Sequence, residues 1–420
     1  MARGEWGTHR TDDSPFLPRK RNPSLIFVKT NRPATCHLPP VAHLVFVLSF
    51  AACVQPASAQ LRDAHQHGKP IEVDRESGAE IYVLGRDERP ADNIYGEQPY
   101  GDASGRRIAI RYYPLSGKPG GISIMDLHDG SIHEILSGDP PFPAFHAWGQ
   151  WLYYPQAVEG KNMLRRCNYL TLEIENVAEL PPDRGRYSYG TVSPDHRYYA
   201  VSVRPSEAGS SQVHLLNLQT NQWNVLLDKP GFHAKHEQFS RDGRNRVLIQ
   251  LNRMPDRKVV LLSELEIGGT EKPFPADRPY TPRPTGHEAW IGETSRIFFS
   301  TGWNDAKSKG NVWIGQIGDE SPTVAYEDQD KRFGHISISR DGKYWIADTD
   351  EPGIPIYIGS FASGRCRRIC ISRTTYDGKQ WSHAHPYLTA DNKWLIFGAL
   401  RTTHPQVHGA KLKEGWLATL

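Results

Sequence analysis

One unit recurs along the chain: a polar or aromatic start, a short strand, a tight turn, then an apolar strand. The copies read "QPYGDASGRRIAIRYY", "FPAFHAWGQWLYYPQ", "YGTVSPDHRYYAVSV", "HEQFSRDGRNRVLIQL", "HEAWIGETSRIFFSTG", "HISISRDGKYWIADTD" and "HPYLTADNKWLIFGAL". Their turns fall at Ser104, Trp148, Asp195, Asp242, Glu293, Asp341 and Asp391. A period of about 48 residues is that of four-stranded propeller blades, which bury their faces only by stacking on each other. Helical periodicity is scarce, and short β-rich runs are punctuated by Gly, Asp and Pro, so the fold class is all-β. Third strands follow the repeats, as in "SQVHLLNLQT", "GNVWIGQIGD" and "IPIYIGSFAS". After the last, "PQVHGAKL", little chain remains. The missing outer strand is expected from "AEIYVLGR" (79–86), which would join the two ends and remove an exposed sheet edge. The expectation is one seven-bladed β-propeller over residues 60–420, with no second domain; a chain of 420 residues suits one large all-β domain.

Residues 1–59 read as a leader. Arg19, Lys20, Arg21, Lys29 and Arg32 precede the apolar run "HLVFVLSFAACV", and "ASA" at Ala57–Ala59 is a small-x-small cleavage pattern. The run is short for a bilayer span. A signal peptide places the mature protein in the periplasm or outside the cell. A lipid-anchored start at Cys53 fits less well, because Phe50 stands three residues before it. The leader holds seven Lys/Arg and three Asp/Glu, so it supplies about +4 of a net charge of +3, and the remainder is near −1. That balance gives no nucleic-acid surface. No further apolar stretch reaches transmembrane length. Cys167, Cys366 and Cys370 are too few for a disulfide framework, and the last two are too far apart along one extended strand to bridge.

Six residues before the turn residue stand His236, His287, His335 and His385, in four consecutive blades; blades one and three carry Gln98 and Tyr189 there. The first strand of a blade lines the central channel, so equivalent positions form a ring. One histidine on a wet, polar lining needs no explanation; four at one register do. His383, two residues before His385, is expected on the same strand face by the period of two. Gln380 can reach the same place from the preceding loop. Imidazoles with an amide oxygen suit a divalent transition ion such as Mn, Fe, Ni or Zn. A histidine outside the ligand set can act as base.

"QWSHAHPYLTADNKWLIF" resembles the Gln-x-x-His-x-His-Pro segment of oligogalacturonate lyases, seven-bladed propellers that cleave short pectin fragments. "GHEAW" and "GHISISRDG" resemble the two preceding histidine strands of that family. The resemblance covers about residues 230–400, and earlier blades only as architecture. It implies a Mn ion held by His335, Gln380, His383 and His385, with His287 as the proton-abstracting base. It further implies substrate contact from Arg257 and a site-lining place for His236. The substrate implied is a uronate-containing oligosaccharide, cleaved by β-elimination to a 4,5-unsaturated product. This sequence departs from the family at "IQLNRMP", where a His-Glu-Gly-Pro segment is expected, so a different uronate is compatible with it. Arg186 and Arg204 read first as solvated surface charge, and otherwise as further groups to hold carboxylates.

Two other classes compete. A non-catalytic periplasmic propeller that binds sugar or protein uses the same Ser-x-Asp turns, but it has no need of the histidine register. A hydrolase needs a Gly-x-Ser-x-Gly elbow or paired carboxylates. The elbow is absent from the sequence; paired carboxylates stay open, but no acidic residue shares the histidine register except Glu293, at a turn.

Overall fold

The computed structural model describes residues 68–420 except 86–87, 139–141, 147, 181–185, 205–210, 256–257, 277–281, 303–309, 376–379 and 402; Arg186, Tyr187, Arg204 and Gln380 are described in backbone only. The leader lies outside the described residues. Those described form seven antiparallel sheets arranged as a β-propeller. Blades one, four, five and six each have four strands in sequential order. The closure read from the sequence is present: Glu80–Val83 pairs with Gln406–Lys411 of blade seven, and Glu72–Val73 adds a fifth strand outside it.

Seven apolar clusters hold the ring, one between each pair of neighbouring blades. The cluster between blades seven and one joins Leu84, Ile396 and Val407 to Ile108 and Ile110, all buried. Each such aliphatic side chain stabilises the fold by ~1.5–3 kcal/mol when fully buried.

The recurring Ser/Thr-x-Asp turns have a common cause. Ser193, Ser240, Ser339 and Thr389 each donate a hydroxyl to the aspartate two residues on, at 2.6–2.8 Å. Those aspartates also accept backbone N–H groups from Arg197, Arg244, Lys343 and Lys393. Hydroxyl and carboxylate together close the turn, so it recurs where the first strand must reverse.

Two innermost strands depart from the repeat. In blade two, the stretch around Ala144 and Phe145 makes only isolated bridges, to Tyr153 and Thr191; Pro143 beside them has no N–H for a ladder. In blade one, the inner strand is Ala91–Asp92, and residues 93–100 leave it irregularly before an isolated bridge at Gly101. Among the described residues, Cys167, Cys366 and Cys370 are free thiols. Among the described residues, no helix is long and apolar enough to cross a membrane.

Candidate functional site

The first strands of blades four, five and six each break register against their second strand, between Lys235 and Gln238, Pro284 and Glu288, and Phe333 and Ile336. His236, His287 and His335 sit inside those breaks. A bulge adds a residue to one strand and re-aims its side chain, and here it turns three histidines toward one another. His236 is itself left-handed, with φ 61°.

Blade seven brings its histidines in differently. The expected strand placement of His383 and His385 is not what forms: the strand begins only at Tyr387, after a 3-10 turn at Gln380–Ser382. His385 has φ 41°. The two rings converge because the chain folds back at this point rather than by strand alternation.

The candidate ligand atoms of His335, His383 and His385 all lie within 4.8 Å of one another. The His335 ring centroid is 4.4 Å from that of His385 and 5.1 Å from that of His383. His287 packs against His335 at 4.4 Å, and His236 lies 6.4 Å beyond His287. Five histidines from four blades therefore form one continuous group. Burial holds His236 and His385 well below the ordinary imidazole value, and neighbouring positive groups add to the effect. They are neutral and fit to accept or coordinate.

Two carboxyl groups orient this group from outside the register, Glu97 beside the register position of blade one and Asp348 on a second strand. Asp348, on the second strand of blade six, accepts from His335 Nδ1 at 2.9 Å and from the His335 backbone N–H at 2.8 Å. It is fully buried. A Cβ at Gly334 would meet Asp348 Oδ1 at 2.7 Å, so glycine is what lets the carboxylate in. With Nδ1 engaged, Nε2 is the His335 atom that can coordinate, as is usual for carboxylate-oriented histidine ligands. Glu97, in the irregular segment of blade one, meets His287 Nδ1 in a very short contact. Burial pushes the Glu97 carboxyl up to about 8, against the pull of His335. Burial likewise pushes the His287 imidazole down to about 4. Both groups are held in their neutral forms at neutral pH.

The same blade-one segment supplies Tyr95, whose hydroxyl is 3.3 Å from His236 Nε2 and whose ring packs on His385 at 4.6 Å. Asn93 fixes the loop by donating to the His385 carbonyl at 2.7 Å. Tyr189 continues the aromatic wall from Tyr95, and Phe142 continues it from Tyr189. Buried Arg111, ion-paired with Asp92 at 2.6 Å, donates to the Tyr189 hydroxyl. Gln98 donates to the Glu237 carbonyl, next to His236, at 2.8 Å.

Of the sequence-derived candidates, His236, His287, His335, His383 and His385 are brought together. Arg257 lies outside the described residues, as do the side chains of Gln380, Arg186 and Arg204. The sequence reading missed Glu97, Asp348 and Tyr95. Glu97 stands next to Gln98 at the register position, a signal that could have been followed. Asp348 belongs to the neighbouring strand and gives no such signal.

The donor set fits a divalent transition ion. Three clustered imidazoles, one of them already oriented by a carboxylate, are the ligand chemistry such ions take, with coordination positions left for further groups.

No protein-family model matches the sequence, and neither does any curated protein. Solved structures do match the fold. An oligogalacturonate lyase in complex with manganese aligns at a TM-score of 0.67 and 17% identity, covering 84% of this chain and 97% of the lyase. An oligogalacturonate lyase from Vibrio parahaemolyticus aligns at 0.62 and 14% identity, covering 82% and 96%. An acylaminoacyl peptidase in complex with a chloromethyl ketone aligns at 0.50 and 12% identity, covering 75% of this chain and 52% of the peptidase. At these identities the likeness establishes the β-propeller and leaves the chemistry to the site.

Proposed function

We propose that this protein is a metal-dependent lyase that cleaves 4-linked uronate oligosaccharides by β-elimination. The observation that carries this reading is the pairing of functions within one group of histidines. His335, His383 and His385 are clustered as ligands would be, and His287, in contact with His335, is paired with the buried Glu97 carboxyl group. The likeness in fold to a manganese-bound oligogalacturonate lyase supports the same reading.

Gln380 is proposed as a fourth ligand and Arg257 as a substrate contact, with His236 lining the site. A divalent ion such as Mn, when bound, stabilises negative charge developing on the substrate carboxylate. The C5 proton beside that carboxylate is the one to be removed. His287 Nε2 accepts it once Glu97 is ionised and takes the hydrogen bond of Nδ1–H. The C5–H electron pair becomes the C4–C5 double bond, and the C4–O bond breaks with its pair on the glycosidic oxygen, which takes a proton from water as the sugar leaves. The aromatic wall of Tyr95, Tyr189 and Phe142 gives the sugar an apolar surface. With the leader proposed for residues 1–59, the enzyme acts in the periplasm or outside the cell.

The test is ultraviolet absorbance of the unsaturated product, with Mn-loaded protein and a panel of uronate oligosaccharides that includes digalacturonate, with and without chelator. A chelator-sensitive rise supports the reading and names the sugar. No rise on any uronate, with metal bound, would replace it by the binding-module reading.

A further inference from the structure

The first strands end in turns at the opposite end of the channel from the histidines. Arg241 is five residues beyond His236 along its strand, or roughly 16 Å if fully extended. A separate cavity of about 260 Å³ opens there, and Trp148, Arg241, Arg340, His146, His196 and Glu293 are among its lining residues. Arg241 and Arg340 hold the same place in the Ser-Arg-Asp-Gly turns of blades four and six.

These side chains are unusual in what they lack. Arg241 Nε and Nη1 are shut off from solvent and have no hydrogen-bond partner. The guanidinium lies over the Trp148 ring, 3.9 Å from its centroid, and Trp148 Nε1 is also buried without a partner. No carboxylate among the described residues pairs with Arg241; Glu293, the acidic residue lining the cavity, is exposed. Burial, reinforced by Arg340, pushes the guanidinium down to about 9. Arg340, exposed at the rim of the same cavity, donates to the Ala103 carbonyl of blade one at 2.6 Å. A half-buried cation with unused donors beside a second cation, offset only by the exposed Glu293, is a poor structural element unless a further anion completes it.

We propose that the turn end of the channel is an oxyanion site that takes the carboxylate or phosphate group of a small ligand. Arg241 and Trp148 Nε1 turn toward the ligand as it binds and supply the hydrogen bonds, and Arg340 supplies further positive charge. A planar guanidinium matches either oxyanion, and the cavity limits the ligand to a small molecule. The site is separate from the histidine group and does not depend on the lyase reading.

The test is thermal unfolding and calorimetric titration of the full chain with inorganic phosphate and, separately, with monomeric galacturonate, each against chloride at equal ionic strength. Saturable stabilisation by either anion is expected; phosphate alone assigns a phosphate ligand, galacturonate alone a carboxylate. Arg241→Met should weaken that binding roughly tenfold or more and leave Mn binding unchanged. Trp148→Phe keeps the ring but removes its donor, so it weakens binding less, and it serves as the second variant if Arg241→Met folds poorly. The proposal is overturned if neither anion acts beyond chloride, or if binding is unchanged in Arg241→Met. Galacturonate binding that survives Arg241→Met but is lost in His335→Ala belongs to the histidine end, and would overturn the assignment for carboxylates.

Discussion

Asp348→Asn is the sharpest perturbation of the proposed metal site that leaves its ligands in place. Asp348 accepts two hydrogen bonds from one residue, the His335 ring at 2.9 Å and its backbone N–H at 2.8 Å. An asparagine has one oxygen for two donors. If that oxygen takes the backbone N–H, the amide NH₂ faces Nδ1. The ring must then carry its proton on Nε2, the atom that would coordinate. The loss is one hydrogen bond to a charged acceptor, about 1.5–3 kcal/mol. At about 1.4 kcal/mol per decade, metal affinity should fall roughly 10- to 150-fold, in line with the effect of removing outer partners of metal-bound histidines. The assay is competition for Mn against a chelator of known affinity, with circular dichroism to confirm the fold. Affinity within about twofold of the parent protein would mean that His335 is not a ligand held by this carboxylate, and the reasoning from its geometry would fail.

Further expectations concern the base, the fold and acid stability. Glu97→Gln should lower turnover by about 10²- to 10⁴-fold while Mn binding persists, and His287→Ala should abolish turnover with the same retention; near-normal rates in either would remove the base assignment. The rate should rise with pH through the loss of the Glu97 proton, near about 8. Below it Glu97 donates to Nδ1, and the imidazole proton stays on Nε2. Above it the carboxylate accepts from Nδ1–H, and Nε2 becomes the base. A pH–rate profile with no such rise, or an unchanged rise in Glu97→Gln, would contradict this. Ile81, fully buried in the closing strand, should cost about 2–5 kcal/mol of stability when cut to alanine; a loss under about 1 kcal/mol in denaturant unfolding would show that the closing strand does not hold the ring. His408, fully buried, has its pKa pushed down to about 4 by burial. Its folded value lies below its unfolded one, so its contribution is present above about 6.5 and is lost as pH falls through 4. That is about 3 kcal/mol at about 1.4 per unit, and His408→Gln should flatten this part of the stability–pH curve.

The architecture was legible because each blade repeats the same local solution. The Ser-x-Asp turns mark every reversal they serve, and the closing strand was readable from the blade that lacked one. The histidine register was legible for the same reason, since equivalent positions on a ring converge. The means of convergence was not legible. Bulges at His236, His287 and His335 leave no mark in the order of polar and apolar residues, and His383 and His385 meet in a fold-back rather than on a strand. Glu97 was hidden because residues 93–100 leave the repeat to reach into the channel, and Asp348 because it acts from the adjacent strand. The inner strand of blade two was expected and is reduced to bridges beside Pro143.

The most direct measurement is the mass of the products formed when Mn-loaded protein is incubated with a uronate oligosaccharide from the panel. β-Elimination predicts fragments whose masses sum to that of the substrate, one of them unsaturated at its new end, and none from His287→Ala. Fragments whose masses sum to the substrate plus one water would make the protein a hydrolase, and the intact sugar recovered from a metal-loaded complex would make it a binding protein.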